Sequence, residues 1–472
     1  MRLLFLAAAA AASLSAGSVS VFDVIPASMS AEAEQNSEPS LAINPANPSQ
    51  IVLGAFGSLG PGYFFSTLNA GSAWTVADSF PIFDKTLAYS SDGQTQYTSF
   101  IDDNFAIGLK ANGTVIDTYP VGDMPWVVTG SAGRIYVGFN NTDEAVNGAS
   151  AMVRVSTDGG ASFSNTVIDR VGAPDYDNPA VRVAANGDRV YAAFTRFNSV
   201  ISTLPDNTYR NAQVVVVRDD QGAAGASKFS VLGAGGVGTV VADVPWIDDF
   251  SGIQANNRIG ADLSLAVDPH NPDRVLIAYQ SSPSPTISNL VVSESLDGGA
   301  HWTTRTTLTA QSSALPALSI LDDGTVGLLY ETENLGFAEA HFLVTRDDFV
   351  DFTDTVLSHS DKNIVPVQFQ PYLGDYIDLT SAGLTFAGTF AAPTMDDGTL
   401  GVFPNGVTFL RSYSGTPGTP SFALNDGLGN RVSDSIDPFF FTQTFEPVPE
   451  PGTLALTAAA LICLWRRRTF QV

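Results

Sequence analysis

The chain has 472 residues and a formal charge of −26, with few charged side chains and many glycines and aromatics. Nothing basic is available to neutralise phosphates, which argues against nucleic acid as a partner and against a peripheral grip on anionic lipid. The one cysteine, Cys463, excludes an intramolecular disulfide; export stays open, because a domain with a large core needs no such staple.

Residues 1–20 open with Met1-Arg2, run through LLFLAAAAAA and end in small residues, the pattern of a secretory signal peptide. From residue 21 a unit recurs: an apolar strand, a turn of Asn, Asp, Gly and Pro, and a second strand ending in an aromatic. Its copies end at Phe56, Phe100, Phe139, Phe194, Tyr279, Tyr330 and Phe390. Each unit predicts the inner two strands of a four-stranded propeller blade, so the expected fold is an all-β propeller of seven blades. Six remain open if the second unit elaborates the first. The long step from Phe194 to Tyr279 predicts an insertion over Gly233 to Ala261. The propeller is expected to span residues 21–424, with a linker over 425–447.

A second repeat follows the third strand of some units. It reads Ser156-x-Asp158-x-Gly160-x-x-Phe163 and Ser295-x-Asp297-x-Gly299-x-x-Trp302. A worn copy stands at Thr67-x-Asn69-x-Gly71-x-x-Trp74; a more worn one, Thr345-x-Asp347-x-Phe349-x-x-Phe352, lacks the glycine. Physically this is a hairpin turn in which the carboxylate accepts turn N–H groups and the glycine takes a backbone angle that other residues resist. The pattern resembles the Asp-box (BNR repeat) of sialidase-like β-propellers. In that superfamily the boxes lie at blade peripheries, so the resemblance speaks to fold rather than chemistry.

The C-terminal residues 448–472 hold Pro449-Glu450-Pro451, the apolar run LALTAAALICLW and the cluster Arg466-Arg467-Arg468. The run is short for a free-standing span, and its arginines would stay cytoplasmic. The three parts in this order resemble the PEP-CTERM sorting signal of Gram-negative bacteria. The resemblance implies transient inner-membrane anchoring, cleavage by an exosortase, and delivery to the cell surface or extracellular matrix.

Propeller ligands usually meet the mouth of the central channel, and the loops expected there carry Asp84, Asp123, Asp177, Asp243, Asp262 and Asp375. Two stretches pair an acid with a large ring: Asp123-Met124-Pro125-Trp126, and Asp243-Val244-Pro245-Trp246 with Asp248 and Asp249 just beyond. Asp123, Trp126, Asp177, Asp243 and Trp246 are the candidate ligand-binding set. They would either stack a sugar and bond its hydroxyls, or hold Ca²⁺ by hard oxygens. The alternative is that each Asp caps a turn and each Trp fills the space between blades. No cofactor is otherwise indicated, and the histidines show neither metal-ligand spacing nor a Ser-His-Asp set.

A sialidase would need three arginines on the substrate carboxylate, and the first usually sits in a Phe/Tyr-Arg-Ile-Pro motif. The chain has no such motif and no arginine between Arg2 and Arg134; Arg189 and Arg274 fall in turns expected to be exposed. Sialidase activity is therefore not expected. Two readings stand: a cell-surface or matrix module binding extracellular polysaccharide or protein, and a glycoside hydrolase or lyase. The second would draw on Asp243, Asp248, Asp249, Asp375 or Tyr376.

Overall fold

The computed structural model describes residues 17–57, 62–80, 82–142, 150–169, 181–203, 208–233, 237–247, 263–309, 312–361, 368, 373–394, 403–416, 421 and 423–446. Most of the expected signal peptide, the sorting signal from Val448 onward, Asp177, Asp248, Asp249 and Asp262 lie outside these residues.

Seven four-stranded antiparallel sheets succeed one another along the chain. Blade 1 comprises Ser40–Ile43, Ile51–Ala55, Gly62–Thr67 and Thr75–Phe80. Blades 2 to 6 repeat that plan over residues 85–119, 123–167, 182–247, 263–308 and 312–361. Blade 7 runs outward as Asp378–Ala382, Thr385–Pro393, Ile436–Thr444 and Ser20–Asp23. The first strands touch in cyclic order, and that of blade 7 meets that of blade 1, so the sheets close into a propeller. The second repeat unit is a blade of its own, which decides seven over six.

Burial follows position in the blade. The second strand Ile135–Asn141 is buried throughout because both of its faces meet neighbouring blades. The fourth strand Thr75–Phe80 is almost wholly exposed. The seven aromatics that mark the repeat sit in or directly after the second strands. The cores lie between blades; one joins Tyr191, Phe197 and Trp246 of blade 4 to Leu263 and Tyr279 of blade 5.

Two expected boundaries differ. VADVPWI lies in Thr239–Ile247, the fourth strand of blade 4, not in an insertion. Residues 248–261 of that expected insertion lie outside the described residues; within the described ones, the long step holds an extended hairpin, Arg189–Thr203 with Thr208–Asp219, and the connection that follows it. The stretch expected as a linker contains Ile436–Thr444, which pairs with Thr385–Pro393 on one side and with Ser20–Asp23 on the other. Segments near both ends of the described chain thus share one sheet. Arg411, fully buried, ties that closure together through Asp23, Asp437 and Glu32.

All four copies of the second repeat sit between a third and a fourth strand. In the copy of blade 5, Ser295 Oγ donates to Asp297 Oδ1 (2.9 Å) and accepts from Gly299 N (2.8 Å); Asp297 Oδ1 also accepts from His301 N (2.9 Å). Trp302 Nε1 folds back to Gly299 O at 3.0 Å. The glycine-less copy keeps the Thr345 and Asp347 bonds but not the ring bond, since Phe352 has no donor, and Phe349 itself is held at φ 68° and buried. On the same face, ion pairs clamp adjacent blades: Arg134 with Asp188, Arg189 with Asp273, and Arg274 with Asp348. Arg189 and Arg274 are consequently mostly buried rather than exposed, with side chains 24% and 14% accessible.

Candidate functional site at the channel mouth

The first strands line a central cavity of about 550 Å³ that draws residues from all seven blades. The beginnings of these strands form one mouth, and irregular backbone concentrates there. Glu38, Met124 and Leu315 each hold a left-handed φ near 50°. Met124 and Leu315 lie in bulges, at Asp123/Trp126 and Ala314/Ala317. A bulge re-aims the side chain that follows it, and strain of this kind gathers at functional sites.

The first bulge carries the site. Asp123 Oδ1 caps Met124 N at 2.9 Å, and Thr86 Oγ1 donates to Pro125 O at 3.1 Å. Thr86 Oγ1 also accepts from Val127 N at 2.8 Å. Trp126 then turns into the cavity, with its ring edge-on to Tyr376 at 6.2 Å between centroids. The guanidinium of Arg182, from blade 4, lies 4.2 Å from the Trp126 ring centroid, and its Nε donates to Leu263 O of blade 5 at 3.1 Å. An aromatic and cationic stack thus spans the channel from blade 7 to blade 5.

Carboxylates surround it. Asp378 lines the cavity, and its Oδ2 accepts from Ser40 Oγ and Leu41 N, both at 3.0 Å. Burial pushes its acid up to about 6, against those hydrogen bonds and the Arg182 charge. Behind the stack, Lys85 is completely buried among Glu38, Asp84 and the Phe56 ring. Burial draws its ammonium down to about 8, although both carboxylates favour the charge. Asp375 is buried beside Tyr376, whose hydroxyl is raised well above its ordinary value by burial and by the charges of Glu38 and Asp84.

Of the expected site residues, Asp123, Trp126, Asp375 and Tyr376 come together at this mouth. Asp243 and Trp246 do not. They lie on the outermost strand of blade 4, where Asp243 is exposed beside Gln213 (2.9 Å) and Trp246 is buried between blades 4 and 5. The two Asp-x-Pro-Trp stretches look alike but occupy opposite edges of their blades. Arg182, Asp378, Lys85 and Glu38 were not singled out by the sequence; their only signal is a charged residue at or just before a first strand that is otherwise uncharged.

Among the described residues, Arg182 is the one arginine lining the cavity. Arg196 is engaged with Asp169 at 2.6 Å, and Arg258 lies outside the described residues. No group of three or more His, Cys, Asp or Glu side chains among the described residues is placed to hold a metal ion. His341 and His359 meet on blade 6 around Glu339. Burial alone would lower His341, yet its bonds to Asp354 (3.1 Å) and Glu339 (3.3 Å) hold it at about 9.

No protein-family model matches the chain, and neither does any curated protein. Among solved structures, the chain is similar to the α-L-arabinofuranosidase Arb93A of Fusarium graminearum, at 10% identity and TM-score 0.42, covering 67% of this chain and 92% of that one. It is similar to an α-L-arabinanase of Penicillium chrysogenum at 10% identity and TM-score 0.41, covering 67% and 94%. A subtype N11 neuraminidase-like protein (A/flat-faced bat/Peru) gives 7% identity and TM-score 0.36, covering 91% and 95%. The seven-bladed ring itself stands on the strand pairing of this chain.

Proposed function

We propose that the chain is an exported propeller that binds extracellular glycan at the channel mouth. The observation that carries this reading is Trp126, turned into the cavity by a bulge and backed by Tyr376 and Arg182. A held aromatic beside carboxylates suits a sugar, whose C–H face packs on the ring and whose hydroxyls donate to Asp378. The four hydrogen-bonded turns fit the Asp-box pattern. The tail, with its Pro-Glu-Pro motif and arginine cluster, would deliver the protein to the cell surface or matrix through an exosortase. Native electrophoresis of the full chain through gels containing soluble polysaccharides tests the reading. Wild type is expected to be retarded by at least one polymer, with Trp126→Ala running freely and Asp243→Asn unchanged. Equal mobility of wild type and Trp126→Ala in every gel would refute it.

A second reading, glycoside hydrolysis, is favoured by Asp378. A channel-lining carboxyl raised to about 6 is suited to donate a proton to a leaving oxygen. Release of reducing ends from a retained polymer, lost in Asp378→Asn, would select it.

A further inference from the structure

Phe105 holds a backbone position that glycine or asparagine would take with less strain. It holds φ 59° in the turn between the second and third strands of blade 2 and is 62% exposed. The turn is built by Asp102, whose Oδ1 accepts from Asn104 N (2.8 Å) and Ala106 N (3.0 Å) and whose carbonyl accepts from Phe105 N (2.9 Å). None of these bonds uses the Phe105 side chain. The contrast is Phe349, which takes a similar backbone angle but is only 6% exposed. There the ring repays the strain with core contacts; at Phe105 the ring stays largely in solvent beside Phe83, and the left-handed backbone gains no core burial in return.

The surroundings say what the ring is for. Its plane lies within 10° of that of Phe83, itself 38% exposed, with centroids 6.0 Å apart; Phe83 in turn meets Phe56 at 6.0 Å. The carbonyl of Phe105 accepts from Gly122 N, beside the bulge that aims Trp126 into the channel. Two near-parallel exposed rings therefore flank the mouth on the blade 2 side. Asp103 and Asn104 stand exposed next to them.

We propose that Phe83 and Phe105 form an outer subsite that stacks a sugar ring of a neutral glycan chain whose other end occupies the channel mouth. This rests on the glycan reading above. Flat exposed rings beside hydrogen-bonding groups match the C–H face and hydroxyls of a sugar. The carboxylates of Asp102 and Asp103, in a chain of charge −26, repel uronic and sialic acids.

The test uses the full chain, neutral polysaccharides (dextran, arabinan, galactomannan), alginate as an acidic control, and oligosaccharides of graded length from whichever neutral polymer is retained. Asparagine tolerates the left-handed angle, so Phe105→Asn keeps the turn and is expected to melt no lower than wild type. It should weaken binding of the longer oligosaccharides about tenfold, the effect of losing one stacking contact, and leave the shortest unchanged. Phe83→Ala should do the same. If Phe105→Asn binds every length as wild type does while Trp126→Ala binds none, the subsite is refuted and the channel reading stands. If Trp126→Ala binds as wild type and Phe105→Asn does not, the platform stands and the channel reading falls. Preference for alginate, or no binding to any neutral glycan, overturns the subsite.

Discussion

The hydroxyl of Tyr376 bonds both backbone groups of Lys85, 291 residues earlier in the chain: it accepts from Lys85 N at 2.9 Å and donates to Lys85 O at 3.1 Å. A single phenol thus pins the last blade to the second across the channel mouth, and both bonds are buried. Tyr376→Phe keeps the ring and strands two backbone groups. Each buried group left without a partner costs roughly 1–3 kcal/mol, so for two such groups we expect a loss of at least about 2 kcal/mol at unchanged m-value in urea. A loss below about 0.5 kcal/mol would mean that water replaces the phenol and that Tyr376 is not a tie.

Trp126 and Trp246 should separate cleanly. Trp246 fills the space between blades 4 and 5, so Trp246→Ala is expected to cost about 3–5 kcal/mol. Trp126 is only half-buried over an open cavity, and Trp126→Ala should cost roughly half as much or less. Denaturation midpoints check the order, and a reversal would place the structural tryptophan at the mouth.

Asp378 makes stability depend on pH in a defined direction. Folded, it keeps its proton up to about 6; unfolded, it releases it near 3.8. Between those values the folded state binds more protons, so stability present below the lower value is lost as pH rises through the upper one. Asp378→Asn preserves an acceptor for Ser40 and Leu41 and removes the titration. Relative to wild type it should gain about 2 kcal/mol between pH 4 and pH 6.5. Glu32, Asp23 and Asp437 are also raised, chiefly by burial, but they titrate in both proteins and cancel in the difference. A difference that stays flat with pH would show Asp378 already ionised in the folded protein.

The fold was legible because its two signals are local. Strand–turn–strand units ending in aromatics name the inner strands, and the Ser-x-Asp-x-Gly turns name the outer hairpins. The site was half legible. Asp123-Met124-Pro125-Trp126 and Asp243-Val244-Pro245-Trp246 are indistinguishable as strings. What separates them is a bulge and a left-handed Met124 at the start of a first strand, against regular pairing of Pro245 with Asn211 on a fourth strand. Strand rank within a blade is a tertiary property that a four-residue motif does not carry. Arg182 and Asp378 escaped for the same reason: their importance comes from the cavity that seven distant strands enclose. Closure through Ile436–Thr444 was hidden because its partner, Ser20–Asp23, lies at the other end of the chain.

That closure yields the last prediction. Gly71, in the worn turn of blade 1, holds φ 91°, and a Cβ there would lie 2.1 Å from Phe440 Cε1 in blade 7. Trp74 of the same turn packs edge-on to Phe440 at 5.2 Å, so blade 1 seats its turn directly on the strand that joins the two chain ends. Gly159 supplies the control: its φ is 75°, and a Cβ there would meet nothing within 4 Å. Gly159→Ala carries only the backbone strain, about 1–2 kcal/mol. Gly71→Ala carries that strain plus displacement of a buried phenylalanine, for which overpacking adds about 1–3 kcal/mol. If ring closure depends on this seat, Gly71→Ala will be the less stable of the two. Limited proteolysis should then cut Gly71→Ala first near Ser20–Asp23, where the outermost strand of blade 7 is freed. Equal stability and equal protection of that strand would show that Phe440 swings aside at no cost and that the pairing of Ser20–Asp23 closes the ring unaided.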